Sequence, residues 1–178
     1  DRVRFFQECM YLLLCGCGTG FSVQKHHMDK LPPLVKSKNG TKKFVIPDSI
    51  EGWSDAVGAL VSSYFNQSDL FPEYNGKNIT FDYSEIRAAG SVLKSSGGKA
   101  PGPDLEFCHG SIRKLSPIQA YDIVMHAADA VISGGVRRSA TICLFSPDDE
   151  EMAKAKTGNW FIENPQRGRS NNSALLLR

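Results

Sequence analysis

The chain has 178 residues, of which 41% are hydrophobic and 22% charged, and its formal net charge at pH 7 is +2. This length suffices for one domain with a hydrophobic core, and the composition is that of an ordinary globular protein. The small net charge gives no reason to expect binding to nucleic acid, and the longest apolar runs are too short to span a bilayer, so we expect neither a nucleic-acid partner nor a membrane.

The first half of the chain alternates helix and strand signals. Apolar residues at spacings of three and four predict a helix over residues 1–15. The glycines of GCGTG should end it, FSVQ predicts a short strand, and residues 25–40 should form a loop. KKFVIP predicts a second strand, followed by a helix with Asp48 as its N-cap and Glu51 three residues later. NITFDYSEIR predicts a third strand, and SSGGKAPGP a loop without the spacing of a phosphate loop.

The second half carries the strongest helix signal. Ser116, Pro117 and Gln119 form a capping-box pattern, and Gly134 supplies a stop. SATICLF predicts a strand buried on both faces. SPDDEEMAKAK predicts a helix capped by Ser146 and ended by Gly158. This succession of elements indicates an α/β fold.

The titratable residues form no recognisable metal or catalytic pattern. The five cysteines, an odd number, include one isolated C-x-C, which does not match the paired motifs of zinc sites. We interpret them as reduced thiols of a cytoplasmic protein without a signal peptide, and expect no metal site. Asp122 and Asp129 share a helix face and should be solvated, and His126 should be packed or at the surface.

Two glycine-containing segments are candidates for ligand contact. GCGTGF could be a plain turn, or Gly16, Gly18 and Gly20 could let the backbone approach a ligand. A dinucleotide-binding loop would follow a strand and open a helix, whereas here the helix comes first. In SGGVRRSA, two glycines precede Arg137 and Arg138, whose guanidinium groups could bind phosphate or base edges. A solvated pair at a turn remains the alternative.

Together, GCGTGFSV, SSGGKAPGP, GGVRRSATICLFSPDDEEMAKAKTGNW and NPQRGRSNNSALL resemble the catalytic chain of adenosylcobalamin-dependent (class II) ribonucleoside-triphosphate reductases. The resemblance covers nearly the whole chain. It implies part of a ten-stranded α/β barrel, namely the first half-barrel with a regulatory insertion. Residues 1–28 would then be a barrel helix, glycine loop and strand, residues 29–96 the effector-site insertion, and residues 97–178 barrel helices and strands with the specificity loop.

The resemblance also implies site residues. Cys17 and Gly18 would contact the substrate through their backbone. The specificity loop, between effector and substrate base, would be Ser133, Gly134, Gly135, Val136, Arg137 and Arg138. The radical and redox cysteines of the family would lie outside this chain, so no catalytic residue is assigned, and Cys108 has no assigned role.

The whole enzyme implied by the resemblance would convert ribonucleotides, as triphosphates, to 2′-deoxyribonucleotides by thiyl-radical chemistry. It would use adenosylcobalamin as cofactor, a deoxynucleoside triphosphate as allosteric effector and thioredoxin as reductant. The insertion would replace a partner subunit, which implies a monomer. Because the sequence lacks an initial Met and stops within an apolar run, we expect a fragment that is inactive alone. Two alternatives stay open: a nucleotide-sensing module without catalysis, and an NAD-dependent dehydrogenase.

Overall fold

The structure is a computed structural model that describes residues 2–35, 39–88, 114–133 and 140–174. The elements, in chain order, are α1 (Arg4–Leu14), β1 (Gly18–Ser22), α2 (Lys25–Met28), β2 (Thr41–Val45), α3 (Ile50–Ser62), β3 (Asn78–Asp82), α4 (Pro117–Ser133), β4 (Ala140–Phe145), α5 (Glu150–Ala153), α6 (Trp160–Glu163) and β5 (Ser170–Ala174), with 3-10 turns at Pro72–Tyr74 and Pro165–Arg169. Both sheets are parallel, so the predicted α/β class is confirmed.

The larger sheet has the strand order β1-β4-β5. Helices α1 and α4 pack on one of its faces, because their apolar stripes can be buried only against another element. Phe6, Leu13, Phe21 and Tyr121 are fully or almost fully buried in the resulting core. Phe21 and Tyr121 stack at 6.5 Å between ring centroids, which joins β1 to α4.

The smaller sheet pairs β2 with β3, and α3 forms the crossover between these two parallel strands. Phe44, Phe71, Tyr74 and Phe81 surround its core with edge-on and tilted ring contacts. Helix α3 contributes Ala56 and Ala59 to this core.

Helix α3 also faces the larger sheet's core. Its Val57 and Val61 belong to the same buried cluster as Phe6 and Leu13. A side-chain hydrogen bond from Gln7 to Asp55 joins α1 to α3 at the surface of this contact. The two cores are therefore joined by one helix.

The caps of the helices follow the sequence pattern only in part. The capping box at α4 is confirmed: Gln119 Oε1 accepts from the Ser116 N–H at 2.9 Å, and Ser116 Oγ accepts from the Gln119 N–H at 3.4 Å. The prediction of Asp48 as the cap of α3 is wrong. Ser49 caps the helix by accepting from the Gly52 N–H at 2.9 Å, while the Asp48 carboxylate pairs with Arg87 instead.

Other predicted boundaries differ from the structure. Residues 25–28 form the short helix α2 within the predicted loop. The helix after β4 is capped by Asp149, not Ser146, because the Ser146 hydroxyl accepts a hydrogen bond from the Lys25 N–H. Strand β4 alternates between buried and exposed residues, so the prediction that both faces are buried is wrong. Among the described residues, no helix is long and apolar enough to cross a membrane.

Candidate functional site

The glycine segment forms the turn that joins α1 to β1. The Cys17 N–H bonds to the Leu12 carbonyl and the Gly16 N–H to the Leu13 carbonyl, each at 2.9 Å. This pair of hydrogen bonds is the Schellman arrangement, which requires a left-handed residue after the helix. Gly16 supplies it with φ of 77°. The turn is thereby fixed, and the strand begins at Gly18 rather than at Phe21 as the sequence suggested.

Gly18 and Gly20 lie on the face of the larger sheet that α1 and α4 do not cover, and both are exposed. A Cβ at Gly18 would meet only the Ala140 carbonyl oxygen, at 3.9 Å, which is ordinary contact. Packing within the described part of the chain therefore does not require glycine at this position. A backbone that must be approached closely by another molecule would require it.

The uncovered face, which we call the open face, continues across the sheet. Gly20 pairs in register with Ile142, and Ile142 with Asn171. All three are exposed, and Ile142 exposes 44% of its surface. The open face thus consists mainly of small residues, together with the exposed Ile142, the half-buried Leu144 and the amide of Asn171.

The parallel registers bring the starts of the strands to one edge. Gly18 pairs with Ala140, and Thr141 pairs with Ser170. The chain leaves the described residues after Ser133, at the end of α4, and re-enters at Ala140, directly beside Gly18. Of the predicted specificity loop, only Ser133 is described; Gly134, Gly135, Val136, Arg137 and Arg138 lie outside the described residues.

This edge is the amino-terminal one. Parallel α/β sheets usually bind ligands beyond the carboxyl ends of their strands. Position in an α/β fold therefore gives no support to the interpretation of SGGVRRSA as a ligand loop, which depends instead on its glycines, its arginines and the family resemblance.

An ion pair holds the start of β5 on α4. Arg167 donates from Nε and Nη2 to the two carboxylate oxygens of Asp122, at 2.7 and 2.6 Å. Its Nη1 donates to the Ala155 carbonyl at 2.9 Å. The hydrogen bonds to Asp122 raise the pKa of Arg167 above its ordinary value, against the opposing effect of burial. The prediction that Asp122 is solvated is wrong, because its carboxylate is only 23% exposed and is fully engaged.

A second set of contacts fixes the same edge. Arg169 donates to Asp129 at 2.7 Å, so this aspartate is also paired rather than free, although both side chains stay partly exposed. The Thr141 hydroxyl donates to the Arg169 carbonyl at 3.1 Å, and the Tyr121 hydroxyl lies 2.9 Å from Ser170 Oγ. Helix α4 and strands β4 and β5 are therefore locked together at the point where the strands begin.

The cysteines divide into two classes. Cys9 and Cys143 are buried, and burial raises the pKa of each thiol to about 12, which leaves no reactive thiolate near neutral pH. Cys15 and Cys17 are exposed on either side of Gly16. No group of three or more His, Cys, Asp or Glu within the described ranges could hold a metal ion. His126 is exposed on α4.

Comparison with known proteins identifies the family. The family model described as B12-dependent ribonucleotide reductase, insertion domain, matches residues 22–107. The adenosylcobalamin-dependent ribonucleoside-triphosphate reductase of Euglena gracilis is 32% identical over all of this chain and 25% of its own length. The chain belongs to the B12-dependent ribonucleotide reductase family. The predicted resemblance to the class II reductases is thus confirmed.

Two further similarities agree with membership of the reductase family. A probable adenosylcobalamin-dependent ribonucleoside-triphosphate reductase of Dictyostelium discoideum is 36% identical over 74% of this chain and 18% of its own length. A crystal structure of a B12-dependent (class II) ribonucleotide reductase has the same fold, with a TM-score of 0.75 and 22% identity, over 95% of this chain and 28% of that one. The chain spans about a quarter of the length of the Euglena relative.

Proposed function

We propose that this chain is the segment of a class II ribonucleoside-triphosphate reductase that presents the substrate with backbone from Cys17 and Gly18 and senses the effector through residues 133–138. The complete protein would replace the ribose 2′-OH by hydrogen. In the proposal, thioredoxin returns the reducing equivalents, a deoxynucleoside triphosphate is the allosteric effector, and the protein acts as a monomer in the cytoplasm.

The observation that carries the proposal is the register between Gly18 and Ala140. Arg138 precedes Ala140 by two residues in the sequence, and Ala140 lies directly beside Gly18. In the proposal, the arginine side chain contacts a ligand that also contacts the backbone of Gly18. One nucleotide, or two neighbouring ones, could therefore be read by both loops.

The network at this edge supports an allosteric role. Asp122–Arg167, Asp129–Arg169 and Tyr121–Ser170 tie α4 to the start of β5. The hydrogen bond from Thr141 to the Arg169 carbonyl adds the start of β4. A ligand that selects one conformation of the segment between α4 and β4 therefore acts between two fixed anchors.

The monomeric state is proposed from the way α3 is used. This helix follows β2, lies within the range matched by the insertion-domain model, and packs against α1 through Val57 and Val61. Such a contact would occupy the α1 surface with the chain's own helix. We propose residues 29–96 as the insertion that builds the effector site, with residues 1–28 and 97–178 contributing to the barrel.

Adenosylcobalamin is proposed as the cofactor because the similar reductases are named as dependent on it. Adenosylcobalamin would supply the radical chemistry when bound. We assign none of the described residues to the cofactor. The role proposed for these residues is to bind and orient nucleotides.

The two alternatives make different demands on the site. A dinucleotide-binding dehydrogenase would need a strand before the glycines and a helix after them, whereas α1 precedes them and β1 follows. No observation of the site favours that alternative. A nucleotide-sensing module without catalysis would use the same loops, and differs in needing no further sequence.

The experiment is equilibrium binding to the complete natural protein, with ATP as substrate probe and dGTP as effector probe. Gly18→Val should weaken ATP binding about tenfold or more, because its side chain enters the space above the open face. Arg137→Ala should weaken the coupling between the two ligands by about 5- to 150-fold, the usual range of allosteric coupling. Lys154→Ala is the control, since this exposed residue forms its ion pair within the described part of the chain with Glu150.

Two results would contradict the proposal: unchanged ATP affinity in Gly18→Val, or unchanged coupling in Arg137→Ala. Tight dGTP binding by a protein that releases no deoxynucleotide product with cobalamin and a dithiol present would favour the sensing module.

A further inference from the structure

The glycine turn carries two exposed thiols for which the proposed nucleotide contact has no use. Cys15 is the last residue before Gly16, and Cys17 the first after it. The other two described cysteines, Cys9 and Cys143, are buried. Among the described cysteines, the two accessible thiols, Cys15 and Cys17, therefore both lie at this turn.

The backbone brings these two cysteines within the range of a disulfide. Residues two apart are separated by at most about 7 Å between Cα atoms when the chain is extended, and less when it turns. Disulfides span about 4.4–6.8 Å between Cα atoms. Gly16, with φ of 77°, turns the chain between the two cysteines, and the hydrogen bonds to the Leu12 and Leu13 carbonyls hold this turn in place.

A tyrosine hydroxyl neighbours one of the two thiols. Electrostatic interaction with Cys15 and a hydrogen bond to it raise the pKa of Tyr11, so the phenol stays protonated and can donate to the sulfur. Tyr11 lies one helical turn before Cys15, and the Cys15 N–H bonds to the Tyr11 carbonyl at 2.9 Å. The thiolate is the form that attacks a disulfide, so the Cys15 thiol reacts after losing its proton to water.

We propose that Cys15 and Cys17 form a reversible disulfide across the glycine turn, with a low-molecular-weight disulfide as the oxidant. The Cys15 thiolate attacks one sulfur of the oxidant, giving a mixed disulfide and releasing one thiolate. The Cys17 thiol loses its proton to water. The resulting thiolate attacks the Cys15 sulfur and releases the second half of the oxidant as a thiolate, and both released thiolates take up protons. Two protein thiols are thereby oxidised and one external disulfide is reduced to two thiols.

Because the bond is exposed, thiols in solution can reopen it. A consequence rests on the proposed function: Cys17 adjoins Gly18, so oxidation should reduce ATP affinity by fixing the backbone proposed to contact the substrate. The formation of the disulfide itself is independent of nucleotide binding, so the two claims can fail separately.

To test the proposal, the complete natural protein is treated with glutathione disulfide at neutral pH and digested with chymotrypsin. The masses of the peptides are then measured by mass spectrometry. Cleavage after Tyr11 and Phe21 gives a peptide that contains Cys15 and Cys17 but not Cys9. We expect this peptide to become lighter by two hydrogen atoms and to regain them with dithiothreitol. In Cys17→Ser we expect glutathione to remain attached to Cys15, because the second thiol is missing.

The converse variant, Cys15→Ser, should likewise keep glutathione on Cys17, because one thiol alone can form the mixed disulfide but not the intramolecular one. A peptide that stays in the dithiol form, or that carries glutathione on both cysteines in the unmodified protein, would overturn the proposal. If the disulfide forms but ATP affinity is unchanged, the redox site stands and the link to the substrate loop fails.

Discussion

The outer faces of the two parallel sheets differ in the residues that they expose. On the two-stranded sheet, the face turned away from α3 carries Thr41, Lys43 and Thr80 around the exposed Val45, and Lys43 pairs there with Asp82. On the three-stranded sheet the open face has Gly18, Gly20 and Ala140 beside the exposed Ile142. The first surface surrounds its apolar residue with charges and hydroxyls, whereas the second surrounds it with glycine and alanine, which leave the backbone accessible.

The largest expected change in the free energy of unfolding comes from breaking the ion pair at the edge of the open face. Asp122→Ala would leave Arg167, whose side chain is only 13% exposed, without its carboxylate. We expect a loss of about 3 kcal/mol in the free energy of unfolding, measured with denaturant, because removing one partner leaves a buried charge uncompensated.

The matched control is Asp129→Ala, which removes the neighbouring pair with Arg169, where both side chains are 40% or more exposed. This change should cost less than about 1 kcal/mol. Equal losses in the two variants would mean that burial does not distinguish the pairs.

The next effect concerns the two-stranded sheet. A Cβ at Gly52, in the first turn of α3, would lie 2.1 Å from the Pro47 carbonyl oxygen, so the helix start would have to move. Gly52→Ala should destabilise the protein by about 2 kcal/mol, as overpacking does. Gly18→Ala is the control and should be neutral for stability, because its Cβ has space. A stable Gly52→Ala protein would show that α3 can shift at no cost.

A smaller effect is expected on the open face itself. Ile142→Thr should change the free energy of unfolding by less than about 0.5 kcal/mol, since the side chain is 44% exposed. Val57→Thr, at a position 1% exposed, buries a hydroxyl and should cost about 1–3 kcal/mol. If Ile142→Thr were as costly as Val57→Thr, the open face would be covered in solution.

The smallest effect concerns the polar face of the two-stranded sheet. A hydrogen bond from Lys43, with further bonds from Ser84, lowers the pKa of Asp82 to about 2. Because this pKa is below the ordinary value of about 3.9, the ionised carboxylate favours the folded state above that value and loses this contribution as the pH falls towards 2. An NMR titration should give this low midpoint, and Lys43→Gln should raise it.

The elements with local signals were predictable from the sequence. The capping box of Ser116 and Gln119 and the helical periodicity of residues 4–14 are contained within a few neighbouring residues. Strand β5 had no such signal, because Ser170–Ala174 is almost entirely polar and is defined by backbone pairing with β4. Its polar side chains take part in the edge network, as Ser170 does with Tyr121.

The candidate site was predictable through its motifs but not through its supporting contacts. The glycine turn and its exposed backbone follow from GCGTG, and the structure brings Gly18 beside the start of β4. Asp122 and Asp129 were expected to be solvated because their partners, Arg167 and Arg169, are 45 and 40 residues away in sequence. The two closely spaced arginines of NPQRGR were the available hint, because guanidinium groups commonly pair with carboxylates. Likewise Ser146 and Asp149 are both good caps, and only a tertiary contact with Lys25 decides between them.

Helix α3 couples the unfolding of the two hydrophobic cores. Ala56 and Ala59 lie in one core while Val57 and Val61 lie in the other, so the helix cannot leave either core without opening both. The two-stranded sheet therefore cannot unfold separately, because its unfolding also exposes the α1 side of the larger core. The two sheets should unfold in a single cooperative transition, and a ligand that stabilises one sheet should slow amide hydrogen exchange in the other.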